Sequence, residues 1–343
     1  MHANKNVIPA QMSRRAFGGL AVTGLGALLL TACGSSTESE SSSGSSASAA
    51  PAPSTLPDGM GTDAASGEFP RTVKHFRGET TIDAKPEKVV VIATGQLDDV
   101  LALGVVPIAA AAAKDADIVP QYLRDAYPDF DLGKIEAVGT RNAPDTEAIA
   151  NLKPDLILLN NTQDDESIYE ALSAIAPIVV TEGTGVNWKQ DFQLLAAGVG
   201  DTDAAAKALQ EYQDDAASLG EAADDSTTFS FLRQNSGRTR IWGVSSFVGS
   251  ICEDARLARP EPQQIDKTSV DISAEQLDQA NGDWLFYSVQ GGDTSALTSE
   301  ALWETLEPVA NNRAVEVDDE MFFINAGITA ARGVVEAIRE KIG

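Results

Sequence analysis

Few side chains in this sequence could carry out covalent or metal chemistry, whereas many could bind. Its 343 residues include two His (His2 and His75) and two Cys (Cys33 and Cys252). A Ser-His-Asp enzyme would have to use His75, which sits in an opening hairpin far along the chain from Ser245 and Ser246, and no Gly-x-Ser-x-Gly elbow presents a serine. Zinc or manganese sites built on several His are excluded by the same scarcity. The acidic runs Asp164-Asp165-Glu166 and Asp318-Asp319-Glu320 lack the alternating spacing and Gly of a calcium loop and read as solvated faces. Neither common Gly-rich phosphate loop occurs, so nucleotide binding has no local support. Cys252 lies in an apolar helical stretch and reads as a small core residue. Binding chemistry is better supplied. Arg240 and Trp242 alternate along one strand and therefore face one side, pairing long-reach charge with a flat wall. The chain reads as a binder and not an enzyme, with no resident cofactor.

Strands alternating with helices must position these groups. Buried strand patterns are expected at Val89–Ala93, Val105–Ala109, Ile135–Val138, Leu156–Asn160 and Ile178–Thr181, after a hairpin of Thr72–Phe76 and Glu79–Ile82. Helices fit from Gln96 to Gly104, Tyr122–Tyr127, around Glu147, Asp165–Ile175 and Trp188–Val199. A second series places strands at Thr228–Arg233, Arg238–Gly243, Trp284–Val289 and Ala314–Val317. Its helices are expected at Phe247–Ala255, Ala274–Gln279, Ser299–Leu306 and Ala326–Ile342, with Ala258–Asp271 as loop. Between the series, Ala205, Leu209, Tyr212, Ala216 and Leu219 recur at three or four, one face of a long helix that Asp201 and Thr202 can cap. The fold class is therefore α/β, with two Rossmann-like lobes of mainly parallel sheet joined by a single long α-helix. The lobes echo each other. Asp145-Thr146-Glu147 leads through a short helix to Asp155 and a buried strand, and Ser273-Ala274-Glu275 leads likewise to Asp283, aligning Glu147 with Glu275. A repeat of that length means two similar domains, not a solenoid.

Composition bounds the partners. A net charge of −26 and a pI near 4.3 argue against nucleic acid, which requires a basic face. Residues 1–33 read as an export leader: Arg14-Arg15 precede an apolar run, Leu20–Leu30, too short to span a bilayer with ease. The paired Arg and following Phe17 resemble a twin-arginine signal, and Leu30-Thr31-Ala32-Cys33 resembles a bacterial lipobox. That resemblance implies an acylated Cys33, each buried acyl methylene contributing about 0.8 kcal/mol to holding membrane lipid. Residues 34–70, rich in Ser, Ala, Gly, Pro and Thr, read as a flexible tether. The remaining expected divisions are an N-terminal lobe over 71–200, the inter-lobe helix over 201–223 and a C-terminal lobe over 224–343.

Ligands of open α/β sheets lie outside the carboxyl ends of the strands. In the first lobe that rule selects Gln96, Arg141, Asn160 and the loop to Trp188. In the second it selects Arg233, the loop carrying Trp242 and Phe247 beside Arg240, Tyr287 and Phe322.

Taken in order, Lys85-Pro86 with Lys88-Val89-Val90-Val91, Val138-Gly139-Thr140-Arg141, Lys153-Pro154-Asp155-Leu156-Ile157, Gly237–Gly243, Ser246–Ser250 and Ile272–Leu277 carry a resemblance. The chain resembles the solute-binding lipoproteins of ABC importers that collect iron-siderophores, haem or cobalamin, the class with a helix between lobes. The ferric-siderophore branch is nearest. The resemblance implies a lipid-anchored, extracytoplasmic monomer on the cell membrane that captures a ferric siderophore between its lobes. Iron would then be held by the chelator and not by protein ligands. It also implies delivery to a dimeric ABC permease, with Glu147 and Glu275 docking in Arg pockets, a strong and directional contact. Alternatives are a haem- or cobalamin-binding member of the same family, or an exported α/β hydrolase-like enzyme on a borrowed fold.

Overall fold

A computed structural model describes residues 52–343 other than 115, 162–164 and 184; the leader, Cys33 and the start of the expected tether lie outside the described residues. The expected tether ends earlier than its composition suggests, because residues 52–70 are bonded to the body. Ala52 N–H donates to Glu253 Oε2 at 3.1 Å, and Gln193 Nε2 donates to Ser54 O at 2.9 Å. Gly61 exchanges backbone hydrogen bonds with Lys74 at 2.9 and 2.8 Å, and Gly67 N–H donates to Gly200 O at 2.8 Å. The guanidinium of the buried Arg71 gathers the carbonyls of Ala65, Glu68 and Ala197. Backbone polar groups and a few anchors such as Leu56 and Phe69 hold a segment that side-chain hydrophobicity alone would leave free.

The first lobe opens with a hairpin of β1 (Arg71–His75) and β2 (Gly78–Ile82). Its main sheet uses β3 (Val89–Val91), β4 (Ala109–Ala112), β5 (Glu136–Thr140), β6 (Ala143–Pro144), β7 (Leu156–Asn160) and β8 (Ile178–Thr181) in the order β6-β5-β4-β3-β7-β8. All pairs are parallel except β5 with β6. Its helices are α1 (Gln96–Ala102), α2 (Gln121–Ala126), α3 (Thr146–Leu152), α4 (Glu166–Ser173) and α5 (Trp188–Val199). The strand expected at Val105–Ala109 forms later, as β4. Gly104 and Val105 still donate to Leu101 O and Val100 O in the turn that ends α1, and Pro107 has no N–H for a ladder.

Helix α6 (Thr202–Ala222) then carries the chain to the second sheet. Asp201 caps it by accepting from Ala204 N–H, and its buried face is Ala205, Leu209, Tyr212, Ala216 and Leu219, the periodic stripe. The second sheet has β9 (Phe229–Asn235), β10 (Arg238–Trp242), β11 (Ser269–Ile272), β12 (Trp284–Val289) and β13 (Ala314–Glu316), ordered β11-β10-β9-β12-β13. Here β10 runs antiparallel to both neighbours, while β9, β12 and β13 are parallel. Strand β11 begins inside the segment expected to be loop and runs one residue past it; the Pro- and Gln-rich start of that segment obscures four residues of edge strand. The second-lobe helices are α7 (Phe247–Asp254), α8 (Ser295–Thr298), α9 (Glu307–Ala310) and α10 (Ile328–Ile342). Ala274–Ala280 is a 3-10 helix, and the helix expected at Ser299–Leu306 is instead a 3-10 turn at Trp303–Thr305 flanked by α8 and α9.

The two sheets share no strand among the described residues, yet their inner faces share one core. Val91 and Leu158 of the first sheet and Phe231 and Phe286 of the second belong to a single apolar cluster with α1, α5, α6, α7 and α10. Separate clusters cover the outer faces: Ile157 and Leu159 pack with α3 and α4, and Leu232, Ile241 and Leu285 pack with Leu277, Leu297 and Trp303. The layers are therefore helix, sheet, helix, sheet, helix. Two polar seams tie the lobes across the middle layer. Asp98 accepts from Thr329 N–H (2.7 Å), Ala330 N–H (2.9 Å) and Tyr122 OH (2.9 Å), and Asp99 accepts from Ile328 N–H at 3.1 Å. Both carboxylates cap α10, a second-lobe helix, from α1 of the first lobe. Gly327 allows that approach, because a Cβ there would stand 2.5 Å from Asp98 Cγ. In the other seam, Lys189 Nζ on α5 lies 2.7 Å from both carboxylate oxygens of Asp254 on α7, and Tyr212 OH donates to the same group at 2.8 Å.

Candidate functional site

A cavity of ≈ 180 Å³ opens between the lobes where the first sheet's carboxyl ends meet the inner face of the β9–β10 hairpin. The first lobe supplies Thr94 and Gln96 after β3, Arg141 after β5, Asn160 at the end of β7 and Thr181 and Gly183 around the end of β8. Alternation explains the choice. Leu156, Leu158 and Asn160 share the inner face of β7, and Val179 and Thr181 share that of β8, so the last inner residue of each strand is the one that reaches the gap. Asp99 and Asp191 complete this wall. Asp191 accepts from Glu182 N–H (2.9 Å) and Gly183 N–H (2.7 Å), and burial nonetheless pushes its carboxyl up to about 7. Burial, and then the neighbouring Asp98 charge, hold the Asp99 carboxyl well above the usual range.

The second lobe supplies Trp242, Phe247, Thr268, Phe323 and Ile324. Trp242 packs against Phe323 with ring centroids 5.1 Å apart, and Arg240 lies 6.0 Å over the Trp242 ring. A recess of ≈ 330 Å³ shares Thr94, Arg141, Phe323 and Ile324 with the main cavity and adds Lys114, Arg233, Asn235, Arg240 and Gln290. Arg233 is neutralised by a two-pronged pair with Asp319, both contacts at 2.7 Å. Arg240 donates to Asn235 Oδ1 at 2.6 Å, and its Nε stands 3.9 Å from the half-exposed Asp271 carboxylate, a longer contact than the Arg233–Asp319 pair. Burial first, and then the like charges of Arg233 and Arg238, press its guanidinium pKa downward, though a guanidinium remains cationic. Several buried polar atoms on these walls have no hydrogen-bond partner: Thr94 Oγ1, Gln96 Oε1, Arg240 Nε and Trp242 Nε1. Such atoms concentrate where a bound molecule would complete the bonding. A larger groove, ≈ 460 Å³, lies between α6 and α10, away from the strand ends. Its Arg332 is already paired with Glu211 and Asp215, so it offers no comparable set.

Of the residues selected from sequence, Gln96, Arg141, Asn160, Trp188, Trp242 and Phe247 line the main cavity, and Arg233 and Arg240 line the recess. Trp188 shows only an edge. It is 1 % exposed, donates from Nε1 to Ser250 Oγ at 3.1 Å and packs edge-on to Tyr212 and Phe247 in the inter-lobe seam. Tyr287 and Phe322 line neither space. Tyr287 follows Phe286 on β12 and so faces outward, where it meets Trp303 at 4.9 Å. Phe322 is buried and stacks on Phe286 at 6.1 Å, and it is Phe323, in the π-turn Glu320–Ile324, that reaches the cavity. Sequence reasoning also passed over Lys114, Asp99 and Asp191. The two aspartates sit in helices, and nothing local marks them as cleft residues. Glu147 and Glu275 are both exposed. Glu147 stands in the first turn of α3, capped by Asp145, and Glu275 in the 3-10 helix behind a Ser273/Gln276 capping box.

Two α/β lobes around a cleft with aromatic walls and a basic recess define a two-lobed solute-binding protein. The chain belongs to the periplasmic binding protein family, whose model matches residues 89–321. It is 33% identical over 291 residues to the probable siderophore-binding lipoprotein YfiY of Bacillus subtilis, covering 80% of this chain and 88% of that protein. It is 25% identical over 276 residues to the Fe(3+) dicitrate-binding periplasmic protein FecB of Escherichia coli, covering 78% and 89%. Among solved structures, Staphylococcus aureus SirA complexed with staphyloferrin B is similar with a TM-score of 0.68 and 26% identity, over 79% of this chain and 97% of that one.

Proposed function

We propose that this protein is the extracytoplasmic solute-binding lipoprotein of an ABC importer, capturing a ferric siderophore between its lobes and delivering it to the permease. The observation that carries the reading is the joined cavity and recess, where Trp242, Phe247 and Phe323 offer flat apolar walls and Lys114, Arg141 and Arg240 offer cationic reach. A ferric siderophore is a bulky chelate, often anionic, with flat apolar parts. Aromatic faces hold such a body at low entropic cost, and guanidinium groups meet its oxygens directionally. The ligands named for its relatives, a siderophore, Fe(3+) dicitrate and staphyloferrin B, support the same class.

In this reading the iron stays with its chelator and the protein acts as a monomeric binder, not a catalyst. Acylated Cys33 keeps it at the outer face of the cell membrane after twin-arginine export. Glu147 and Glu275, one on each lobe, dock in a dimeric permease. The polar seams between the lobes favour a small closure on ligand. Tryptophan-fluorescence titration of the purified protein against ferric hydroxamate, catecholate and hydroxycarboxylate chelates, haem and cobalamin tests the ligand class. Quenching by a ferric chelate at micromolar concentration or below is expected. Response to haem or cobalamin alone would replace the siderophore reading with its family alternative.

A further inference from the structure

One part of the first-lobe wall, around Gln96, Asp99 and Asp191, presents acceptors, while Arg141 lines the cavity where it meets the recess. Gln96 is 4 % exposed, and its Nε2 donates to Thr181 Oγ1 at 3.2 Å. The Thr181 hydroxyl in turn bonds the Asp191 carboxyl; with that carboxyl ionised the hydroxyl proton is committed to it, and Thr181 accepts from Gln96. That relay fixes the orientation of the Gln96 amide. Flipping it would set two acceptors against each other. The consequence is that Oε1 of Gln96, a residue lining the cavity, is turned away from Thr181 and is left buried without a partner. Asp99 stands on the same wall and accepts a single hydrogen bond, from Ile328 N–H to Oδ1. Neither Asp99 nor Asp191 lies within ion-pair distance of a Lys, Arg or His among the described residues, whereas the cations Lys114, Arg141 and Arg240 gather at the adjoining recess. The two adjoining spaces, which share Thr94, Arg141, Phe323 and Ile324, therefore place acceptors on one side and cations on the other, with aromatic walls between.

We propose that the deep pole formed by Gln96 Oε1, Asp99 and Asp191 receives a protonated amine arm of the chelate, and that the recess of Lys114, Arg141 and Arg240 receives its anionic iron-binding oxygens. This rests on the siderophore reading above and narrows it to chelates that carry a free amine. An ammonium has three donors and no acceptor, so it matches Gln96 Oε1 and favours the ionised, accepting forms of Asp99 and Asp191 against the upward pull of burial. An unpartnered buried amide oxygen is costly until such a donor arrives.

The test uses the purified protein and a panel of ferric chelates. Its central pair is a linear ferric trihydroxamate ending in a primary amine and the same chelate N-acetylated; amine-free ferric citrate and a ferric tricatecholate complete the panel. The amine form is expected to bind at least tenfold more tightly than the acetylated one, and that ratio is expected to fall below threefold in Asp99→Asn and in Gln96→Met. Two variants are used because Asp99 also caps α10, whereas Gln96→Met removes the acceptor and keeps the bulk. Equal binding of the pair, tighter binding of the acetylated form, a wild-type ratio retained in folded Gln96→Met, or binding only of the amine-free chelates would overturn this inference and leave the siderophore reading in place. Binding of no ferric chelate at all would overturn the siderophore reading itself.

Discussion

The lobes repeat one local device and diverge in their sheets. Asp155 accepts from the N–H groups of Glu87 and Lys88, each at 2.9 Å, just before β3, and Asp283 accepts from Thr228 N–H at 2.8 Å just before β9. Each aspartate thus fastens the start of the neighbouring parallel strand, and the repeated sequence has the same structural task twice. The sheets around that device differ. In the first lobe a nearly all-parallel sheet brings residues to the cleft from strand ends, so its wall is a set of separate loop contributions. In the second, the antiparallel β10 lays Arg240 beside Arg233 in register and carries Trp242 onward along the same face, so the hairpin surface itself is the wall. The lesson is that the carboxyl-end rule locates a site along a parallel strand but does not choose its face. Tyr287, at the correct end of β12 and on the wrong side of the sheet, shows the difference.

The largest effect tests the symmetry of the lobes. On the proposed docking, Glu147→Ala with Glu275→Ala would remove two charge-assisted contacts, at least about 3 kcal/mol if each contributes 1.5–3, so uptake of chelate-bound iron by cells is expected to fall about a hundredfold or more while chelate affinity measured by fluorescence changes less than about twofold. Similar losses in the two single variants are expected; a silent member would break the symmetry. The seams between the lobes come next. Asp254→Leu strands the buried Lys189 ammonium and is expected to cost about 3–5 kcal/mol in chemical denaturation. The double variant with Lys189→Met is expected to regain most of that loss; equal instability of single and double variants would show that packing, not charge, holds the seam. Asp98→Ala leaves the Thr329 and Ala330 N–H groups without their acceptor, for an expected loss of about 3 kcal/mol.

Smaller effects sharpen the account of the second-lobe wall. Arg240→Ala is expected to weaken an anionic ferric chelate about tenfold, since a hydrogen bond to a charged group contributes about 1.5–3 kcal/mol, and the loss should shrink at high salt. Arg233→Ala, whose charge Asp319 already meets, is expected to weaken binding less; an equal loss would mean that the pair opens to the ligand. The least effect is expected from Trp242→Phe, which keeps an aromatic wall and removes the unpartnered Nε1–H, for about a threefold loss of affinity by titration.

Local pattern was enough to read the lobes as α/β units, the amphipathic stripe of α6 and the end of each first-lobe strand that meets the cleft. The period of apolar residues reports which face is buried, and that information is carried by neighbours three or four apart. Strand β11 and the late start of β4 escaped because an edge strand in polar sequence and a helix end running on past Gly104 have weak local signatures. Residues 52–70 escaped for a related reason: composition does not record backbone hydrogen bonds to distant parts of the chain.

The amino-acid sequence by itself determined the two-lobed α/β plan and pointed to binding, because the alternation of elements and the scarcity of His and Cys are properties of the chain alone. Only the tertiary structure decided that Phe323 and not Phe322 meets the cavity, that Tyr287 faces away, and that Asp99 and Asp191 stand where Gln96 turns an unpaired oxygen. Those outcomes depend on which face of one sheet packs against helices drawn from both lobes, a contact between residues far apart in the chain that no local spacing encodes.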